Sequence, residues 1–415
     1  RLRVQLRPLL ALAPPEGASV ASSTINLVKT LVGAGVLSAP VGVAAFSSSR
    51  AALMPSVVLV GIIGAVSAYS FAMVGRVCEA TGSTTWGEAW SSTVGESTAW
   101  IPSVAVALLC FSASLQYTMV IGDSFSSIFA AAGLPEPLTR RWAAIAAVTA
   151  LGTLPLSLLP NLEMLKYTSS LGIAGLLYTA AFMVSRVRGY APGSALHDAV
   201  PPALRPRFSA EPFRLASMLH PKVFVLLSIL ATAYCAHFLA PQFLLELADD
   251  PKAAARSAAR VGRARQWRPQ RRAAGGIGGS TPVTASTSRG RRSLAAQAAD
   301  GAPASSKLPR FSVLTAAGFG LSAVLTAVVM GAGFLTFGGA ADGYILNNYA
   351  ASDRPAQLAR LAIGGAIVTT YPLLHQGLRE TVREALARRG IAPPRAALSL
   401  ACIGLITALG MRLTD

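Results

Sequence analysis

Nine long apolar runs constrain this chain more than any other feature of its sequence. Each run is 17 to 26 residues long, and a bilayer core of about 30 Å needs about 20 mostly apolar residues per helix. Backbone groups in lipid must bond within their own helix, so repeated runs of this length predict a bundle of membrane helices. In chain order the predicted spans are 22–46, 53–75, 101–122, 142–159, 167–187, 222–246, 312–337, 356–376 and 395–411.

Composition supports the bilayer as the solvent of this protein. The 415 residues are 53% hydrophobic and 13% charged, with a mean hydropathy of +0.51, whereas soluble domains carry about 25% charged residues. None of the runs alternates apolar and polar residues as the strands of a membrane barrel do. The four cysteines fall in or beside spans and form no disulfide framework. The expected fold class is therefore an all-α polytopic membrane protein.

The net charge of +18 is concentrated in one segment. Residues 251–310 hold thirteen Lys or Arg and one acid, and are rich in Ala, Gly, Ser and Pro without apolar periodicity. Such a segment cannot bury a core, so we expect a disordered, low-complexity loop between the sixth and seventh spans. The alternatives are a solvated loop and a contact with anionic lipid head groups. No motif or aromatic interleaving points to nucleic acid.

The same charges predict the orientation in the membrane. Short basic segments stay on the cytoplasmic side, and the N-terminal "RLRVQLR" has three arginines and no acid. We therefore expect residues 1–21 to be a cytoplasmic segment, residues 22–250 to hold spans one to six, and residues 311–415 to hold spans seven to nine. The loop 186–221 carries five arginines and opposes this orientation.

The first span has an interruption that a simple anchor does not need. Its sequence "STINLVKTLVGAGVLSAP" places Gly33, Gly35 and Pro40 inside an apolar run. Non-helical backbone survives in a membrane only where it lines a cavity, and two glycines spaced by two do not fit the packing pattern of spacing four. A broken helix exposes amide N–H groups that suit a carboxylate, and carbonyls that suit a cation.

The sixth span is interrupted in the same way. In "SILATAYCAHFLAPQFLLEL" the run contains His237 and Pro241. Transporters with inverted repeats pair interrupted helices at corresponding positions of their halves, and spans one and six stand five helices apart. An ionisable group inside a span is a functional candidate, with a histidine satisfied by a neighbouring helix as the alternative.

Seven ordered segments resemble the amino acid/auxin permease family. The first span resembles its Asn-Leu-x-Asn-x-x-x-Gly-x-Gly-x-Leu-x-x-Pro pattern, and "LPLSLLPNLEMLKYTSSLGI" is the most similar segment. The others are "EATGSTTWGEAW", "YTMVIGDSF", "CAHFLAPQFLLEL", "GFLTFGGAADGYILNNY" and "YPLLHQGLRE". The resemblance covers about residues 22–250 and 311–412.

This resemblance implies a broken-helix transporter with two inverted repeats of five helices, eleven spans in all, that moves amino acids with H⁺ or Na⁺. Combined with the interruptions, it predicts a site between spans one and six. The substrate carboxylate would meet amides at Gly33, Ala34 and Gly35, and the amino group would meet carbonyls near Ala34 and at Cys235, Ala236 and His237.

The ion-coupling position departs from the sodium-coupled pattern of the family. The resemblance assigns this role to Asn26, to the position of Lys29, where relatives have asparagine, and to the hydroxyl of Thr370 before "YP". An ammonium at a cation site would repel Na⁺, and a buried lysine can release its proton, so we favour H⁺ coupling over Na⁺ coupling. The alternative is that Lys29 extends to the lipid head groups.

The resemblance also leaves alternatives to a working transporter. Two helices would follow residue 411, so we expect nine of eleven spans and a chain truncated at its C-terminal end. The block 251–310 is either a real loop or translated intron. An amino acid sensor without net transport, signalling through that loop, and a truncated non-functional permease are the other hypotheses.

No enzyme chemistry is indicated. "GGIGG" at 275–279 lacks the strand, helix and lysine of a phosphate-binding turn. His197, His220 and His375 have no cysteine or acid at metal-ligand spacing. The sequence therefore predicts no enzyme activity, no metal site and no cofactor.

Overall fold

The computed structural model describes residues 18–159, 165–247, 307–387 and 390–413. Most of the predicted N-terminal segment and nearly all of the basic loop 251–310 lie outside these residues. The domain boundaries of the sequence analysis therefore stay predictions.

Fifteen α-helices form the described part of the chain. Short 3₁₀ segments and one π-helical turn, Thr149–Thr153, join or extend them. In chain order the helices are α1 Val20–Leu31, α2 Ala39–Ala44, α3 Leu53–Thr81, α4 Trp86–Thr93, α5 Trp100–Ala131, α6 Glu136–Thr139, α7 Arg141–Val148, α8 Leu154–Leu158, α9 Leu165–Ser185, α10 Ala195–Asp198, α11 Val223–Ala233, α12 Ala240–Glu246, α13 Lys307–Phe337, α14 Arg354–Ala387 and α15 Arg395–Arg412.

The all-α fold class is confirmed for the described residues, which contain no strand. Six helical stretches are long and apolar enough to cross a bilayer, and a seventh is the bent pair in which α1 and the segment Gly35–Ala44 meet at 44°. The remaining predicted spans, 167–187 and 356–376, lie in α9 and α14. These two helices do not meet the same test of length and composition, so the count of nine stays a prediction.

Helix α13 packs closely against α1 and α3. Phe71 stacks on Phe311 with ring centroids 5.5 Å apart. Glycines let the helices approach this closely: a Cβ on Gly318 would lie 2.5 Å from Leu27 Cδ2, and one on Gly75 would lie 2.3 Å from Phe311 Cε1. Small residues at helix contacts are how membrane helices pack without a hydrophobic driving force.

A buried cap closes one end of the bundle between α13 and α14. Arg186 donates two 3.0 Å hydrogen bonds to Asp353, and Tyr190 donates a third at 3.1 Å. Arg360 donates to the carbonyls of Leu346 and Tyr349 at 2.7 Å. Charge-assisted bonds of this kind hold the α13–α14 connection to α14 and to the residues that follow α9.

Candidate functional site

The first span is broken between α1 and α2. The α-helix ends at Leu31, Gly33 is extended (φ −86°, ψ −162°), and a 3₁₀ helix runs over Ala34–Ser38. Pro40 lies in the first turn of α2, where a missing N–H costs nothing. The first N–H groups of the 3₁₀ helix have no preceding turn to bond to, so the break presents amides near Gly33 and Gly35. The predicted interruption is thus present in the structure.

A small cavity lies at this break. Its volume is about 40 Å³, enough for water but far below the roughly 300 Å³ of a small-ligand pocket. Three residues singled out from the sequence, Lys29, Gly33 and Thr370, line it together with Tyr117 and six others: Val32, Gly172, Leu176, Ile363, Ala366 and Ile367. The cavity therefore joins α1 to α5, α9 and α14.

Lys29 packs across the bundle interior. Its Cε would lie 3.3 Å from a Cβ on Gly172, so its stem passes beside α9, and the residue lines the cavity. Thr370 donates its hydroxyl hydrogen bond to the carbonyl of Ala366, at 2.8 Å. Lys29 and Thr370 therefore line one cavity between α1, α9 and α14.

Asn26 is separate from that cavity. Its side chain is exposed, its carbonyl accepts from the Thr30 hydroxyl at 2.9 Å, and it does not line the cavity. The structure therefore brings Lys29 and Thr370 together, but not Asn26.

Two residues of α5 at the break were missed in the sequence analysis. A Cβ on Gly33 would lie 2.9 Å from the hydroxyl oxygen of Tyr117, and one on Gly35 would lie 3.9 Å from the amide of Gln116. Tyr117 begins the family-like stretch "YTMVIGDSF", which was the available signal. Only helix packing reveals that α5 presents these side chains to the break.

The sixth span is broken between α11 and α12. The α-helix ends at Ala233, and a 3₁₀ helix covers His237–Leu239. Cys235 and Ala236 lie in the gap between them, and Ala236 accepts a 2.9 Å bond from the N–H of Leu239. The second predicted interruption is therefore also present.

The His237 imidazole points to α3. Its Nε2 lies 2.8 Å from the Ser70 hydroxyl, and its ring meets Phe71 edge-on, with centroids 6.2 Å apart. His237 does not line the cavity at Lys29. The imidazole of His237 is therefore satisfied by a neighbouring helix, which was the alternative to a functional role.

The two interrupted spans pair along their length. Ala18 N–H donates to the Glu246 carbonyl at 2.7 Å. A Cβ on Gly35 would lie 4.0 Å from Ala233 Cβ, and one on Gly42 would lie 2.9 Å from Leu226 Cα. Residue numbers rise along one span as they fall along the other, so the spans run antiparallel with their breaks side by side.

Other features of the described residues do not compete with this site. They contain no group of three or more His, Cys, Asp or Glu side chains suited to a metal ion. A larger groove, about 640 Å³, lies on the surface between residues 49–51 and 208–213. None of the predicted site residues lines it.

Comparison with known proteins identifies the family to which this chain belongs. The family profile described as "Transmembrane amino acid transporter protein" matches residues 16–256, more than half of the chain. "Putative sodium-coupled neutral amino acid transporter 11" of Danio rerio is 23% identical over 375 residues, which cover 90% of this chain and 67% of that protein.

Two fungal proteins are similar over shorter stretches. "Vacuolar amino acid transporter 7" of Saccharomyces cerevisiae is 29% identical over 170 residues, 40% of this chain and 32% of the relative. "Vacuolar amino acid transporter 5" of Schizosaccharomyces pombe is 31% identical over 165 residues, 38% of this chain and 36% of the relative. The alignments thus span about a third of each fungal protein.

Proposed function

Because the chain belongs to the transmembrane amino acid transporter family, we propose that it is a secondary active transporter that moves amino acids across a membrane. The family confirms the resemblance found in the sequence, and with the apolar helices it makes the chain a multi-pass membrane protein. The family name and the relatives' names describe transporters and not enzymes. The cavity that unites Lys29, Gly33 and Thr370 at the first break is the observation that carries the proposal.

The proposed architecture is the inverted-repeat fold with interrupted first and sixth helices. Antiparallel pairing of the two interrupted spans, from Ala18 at Glu246 to Gly42 at Leu226, supports it, since inverted repeats place their first helices in opposite directions around a shared midplane site. Alternating access would then move one set of helices against the other around this pair.

The proposed substrate site lies between the two breaks. The amino acid carboxylate is bound by the amides of Gly33, Ala34 and Gly35, and the ammonium by carbonyls at Ala34 and at Cys235, Ala236 and His237. His237 contributes its backbone, since its imidazole is engaged by Ser70. The 40 Å³ cavity is too small for an amino acid, so the helices must move apart to admit one.

Proton coupling follows from Lys29. Lys29 lines the same cavity as Thr370, so its ammonium would repel a cation bound there, since like charges repel strongly in a medium of low dielectric constant. Loss and gain of the Lys29 proton would then accompany substrate movement. The relative named as sodium-coupled makes Na⁺ the alternative ion.

The test is uptake into proteoliposomes that contain the purified chain. A radiolabelled amino acid mixture is supplied with an inward pH gradient, an inward Na⁺ gradient, or neither. We expect stimulation by the pH gradient alone. Stimulation by Na⁺ alone would overturn proton coupling, and absence of uptake under every gradient would overturn transport.

A glycine pair of variants tests the site itself. A methyl group at position 35 meets Gln116 and Ala233 at ordinary contact distances of 3.9 to 4.0 Å, so Gly35→Ala should keep uptake. The longer side chain of Gly35→Leu would enter the space between α5 and α11 and cover the amides, so it should abolish uptake while the protein still folds. Equal uptake by the two variants would refute the site assignment.

A further inference from the structure

His375 and Ser114 are among the buried polar side chains of the described residues that have no hydrogen-bond partner. His375 on α14 and Ser114 on α5 are both 0% exposed. Within the described residues, neither nitrogen of His375 nor the hydroxyl of Ser114 has a hydrogen-bond partner. Buried polar groups are nearly always satisfied, because leaving water without a new partner is costly. An unpartnered imidazole and hydroxyl in a contact between membrane helices are therefore candidates for a functional role.

The register of α5 and α14 brings these two groups to the same level. A Cβ on Gly377 would lie 3.1 Å from Cys110 Sγ, and one on Gly364 would lie 2.9 Å from Phe125 Cε2. Along these antiparallel helices, Ser114 lies one turn from Cys110 and His375 lies two residues from Gly377, both toward the pair of Phe125 and Gly364. The unpartnered hydroxyl and imidazole therefore lie at about the same level of the α5–α14 interface.

The pair belongs to a longer line of polar groups, which we call the polar seam. At one end, Tyr117 and Thr370 line the cavity that contains Lys29, and the next residues along their helices are Thr118 and Tyr371. Ser114 and His375 follow, about one turn farther along α5 and α14. The seam thus starts at the cavity.

The other end of the seam lies at Arg379. Its guanidinium donates to the Ser157 carbonyl at 3.4 Å and to the Ser399 hydroxyl at 3.2 Å. Arg379 lies toward the end of α14 at Ala387, which the charge distribution predicts to be cytoplasmic. The polar seam therefore runs from the Lys29 cavity toward the cytoplasm.

We propose that the polar seam conducts protons between the Lys29 cavity and the cytoplasm, with His375 as the residue that accepts and passes each proton. The inference rests on the proposed proton-coupled transport. A neutral imidazole has one acceptor and one donor nitrogen, so a proton that arrives at one nitrogen releases the proton of the other. The ring ends neutral, and no charge stays in the bundle. Since no direct hydrogen bond joins Ser114 to His375, bridging water completes the path.

Other titratable or charged groups lie on the helices that surround His375. The titratable or charged groups on the elements packed near it are Tyr371, Arg379 and Glu380 on α14, Cys110 and Tyr117 on α5, Cys402 on α15 and Cys235 at the break before α12; α8 has none. Glu380 is paired with Arg379 and Arg383.

The decisive experiment compares two modes of transport in His375→Gln. Glutamine keeps a donor and an acceptor but cannot pass a proton. In proteoliposomes, uptake driven by a pH gradient should fall by about tenfold, the size of a typical coupling between sites. Exchange of labelled for unlabelled amino acid at equal pH should stay within about twofold, because it needs no net proton movement. His220→Gln, in an exposed loop, is the matched control and should change neither.

Ser114→Ala gives a second, smaller test, with slower gradient-driven uptake and normal exchange. Equal loss of exchange and driven uptake in His375→Gln would mean a structural role and would overturn the relay. Unchanged driven uptake would overturn the relay but leave proton-coupled transport standing. A wild-type protein whose uptake ignores the pH gradient would overturn both.

Discussion

Replacing Gly33 by alanine should slow transport, because the added methyl group makes one overly close contact. The backbone at Gly33 is extended, a conformation that alanine adopts freely, so no backbone strain is expected. The new Cβ would instead lie 2.9 Å from the hydroxyl oxygen of Tyr117. Tyr117 is only 8% exposed, and its hydroxyl is the end of a stiff ring, so the oxygen cannot simply turn away.

The size of the effect follows from that overlap. Ordinary contacts of a Cβ begin at about 3.4 Å, so the two atoms must separate by about half an ångström in a packed helix contact. Overpacking of this kind costs about 1–3 kcal/mol, which corresponds to about a 5- to 150-fold loss if the compact conformation is needed in the transport cycle. Gly35→Ala, with nothing nearer than 3.9 Å, is the matched control and should transport normally.

A double-mutant cycle separates this contact from a general defect. Tyr117→Phe removes the hydroxyl, and the next nearest atom of that ring, Cζ, is 3.8 Å from the added Cβ. Uptake in proteoliposomes should therefore fall sharply when Gly33→Ala is made in the wild type, but little when it is made in the Tyr117→Phe background. The same loss in both backgrounds, or a normal rate in Gly33→Ala alone, would refute the reasoning.

The remaining predictions concern coupling and stability. Lys29→Asn should replace pH-gradient stimulation of uptake by Na⁺ stimulation, because it removes the ammonium beside Thr370; persistent stimulation by pH would argue against Lys29. Gly318→Ala should lower the free energy of unfolding by about 1–3 kcal/mol, since its Cβ would lie 2.5 Å from Leu27 Cδ2. Gly320→Ala, whose Cβ would meet nothing within 4 Å, is its control, and equal thermal midpoints in detergent would contradict the packing argument. Asp353→Asn should cost about 1.5–3 kcal/mol, because the buried carboxylate holds both Arg186 and Tyr190. Glu136→Gln, in an exposed pair with Arg140, should lower the free energy of unfolding by less than about 1 kcal/mol. A loss as large as that of Asp353→Asn would show that burial of the Asp353 carboxylate adds no stability.

The sequence by itself determined that the chain lies in a bilayer, that its fold class is all-α and that spans one and six are interrupted. These follow from local rules: a bilayer needs about 20 apolar residues per helix, and glycine and proline mark broken membrane helices wherever they line a cavity. Lys29 was identifiable for the same reason, because a charge inside an apolar run is anomalous without any knowledge of its neighbours.

Tertiary structure alone decided which side chains share a site. Thr370 and Tyr117 reach the Lys29 cavity only because α5 and α14 pack against α1, and His237 is removed from it by its bond to Ser70. His375 was excluded as a metal ligand from the sequence, where no cysteine or acid stands at ligand spacing. Its proposed role rests on the antiparallel register that brings it to the level of Ser114, and register between distant helices is set by packed surfaces that no short sequence pattern encodes.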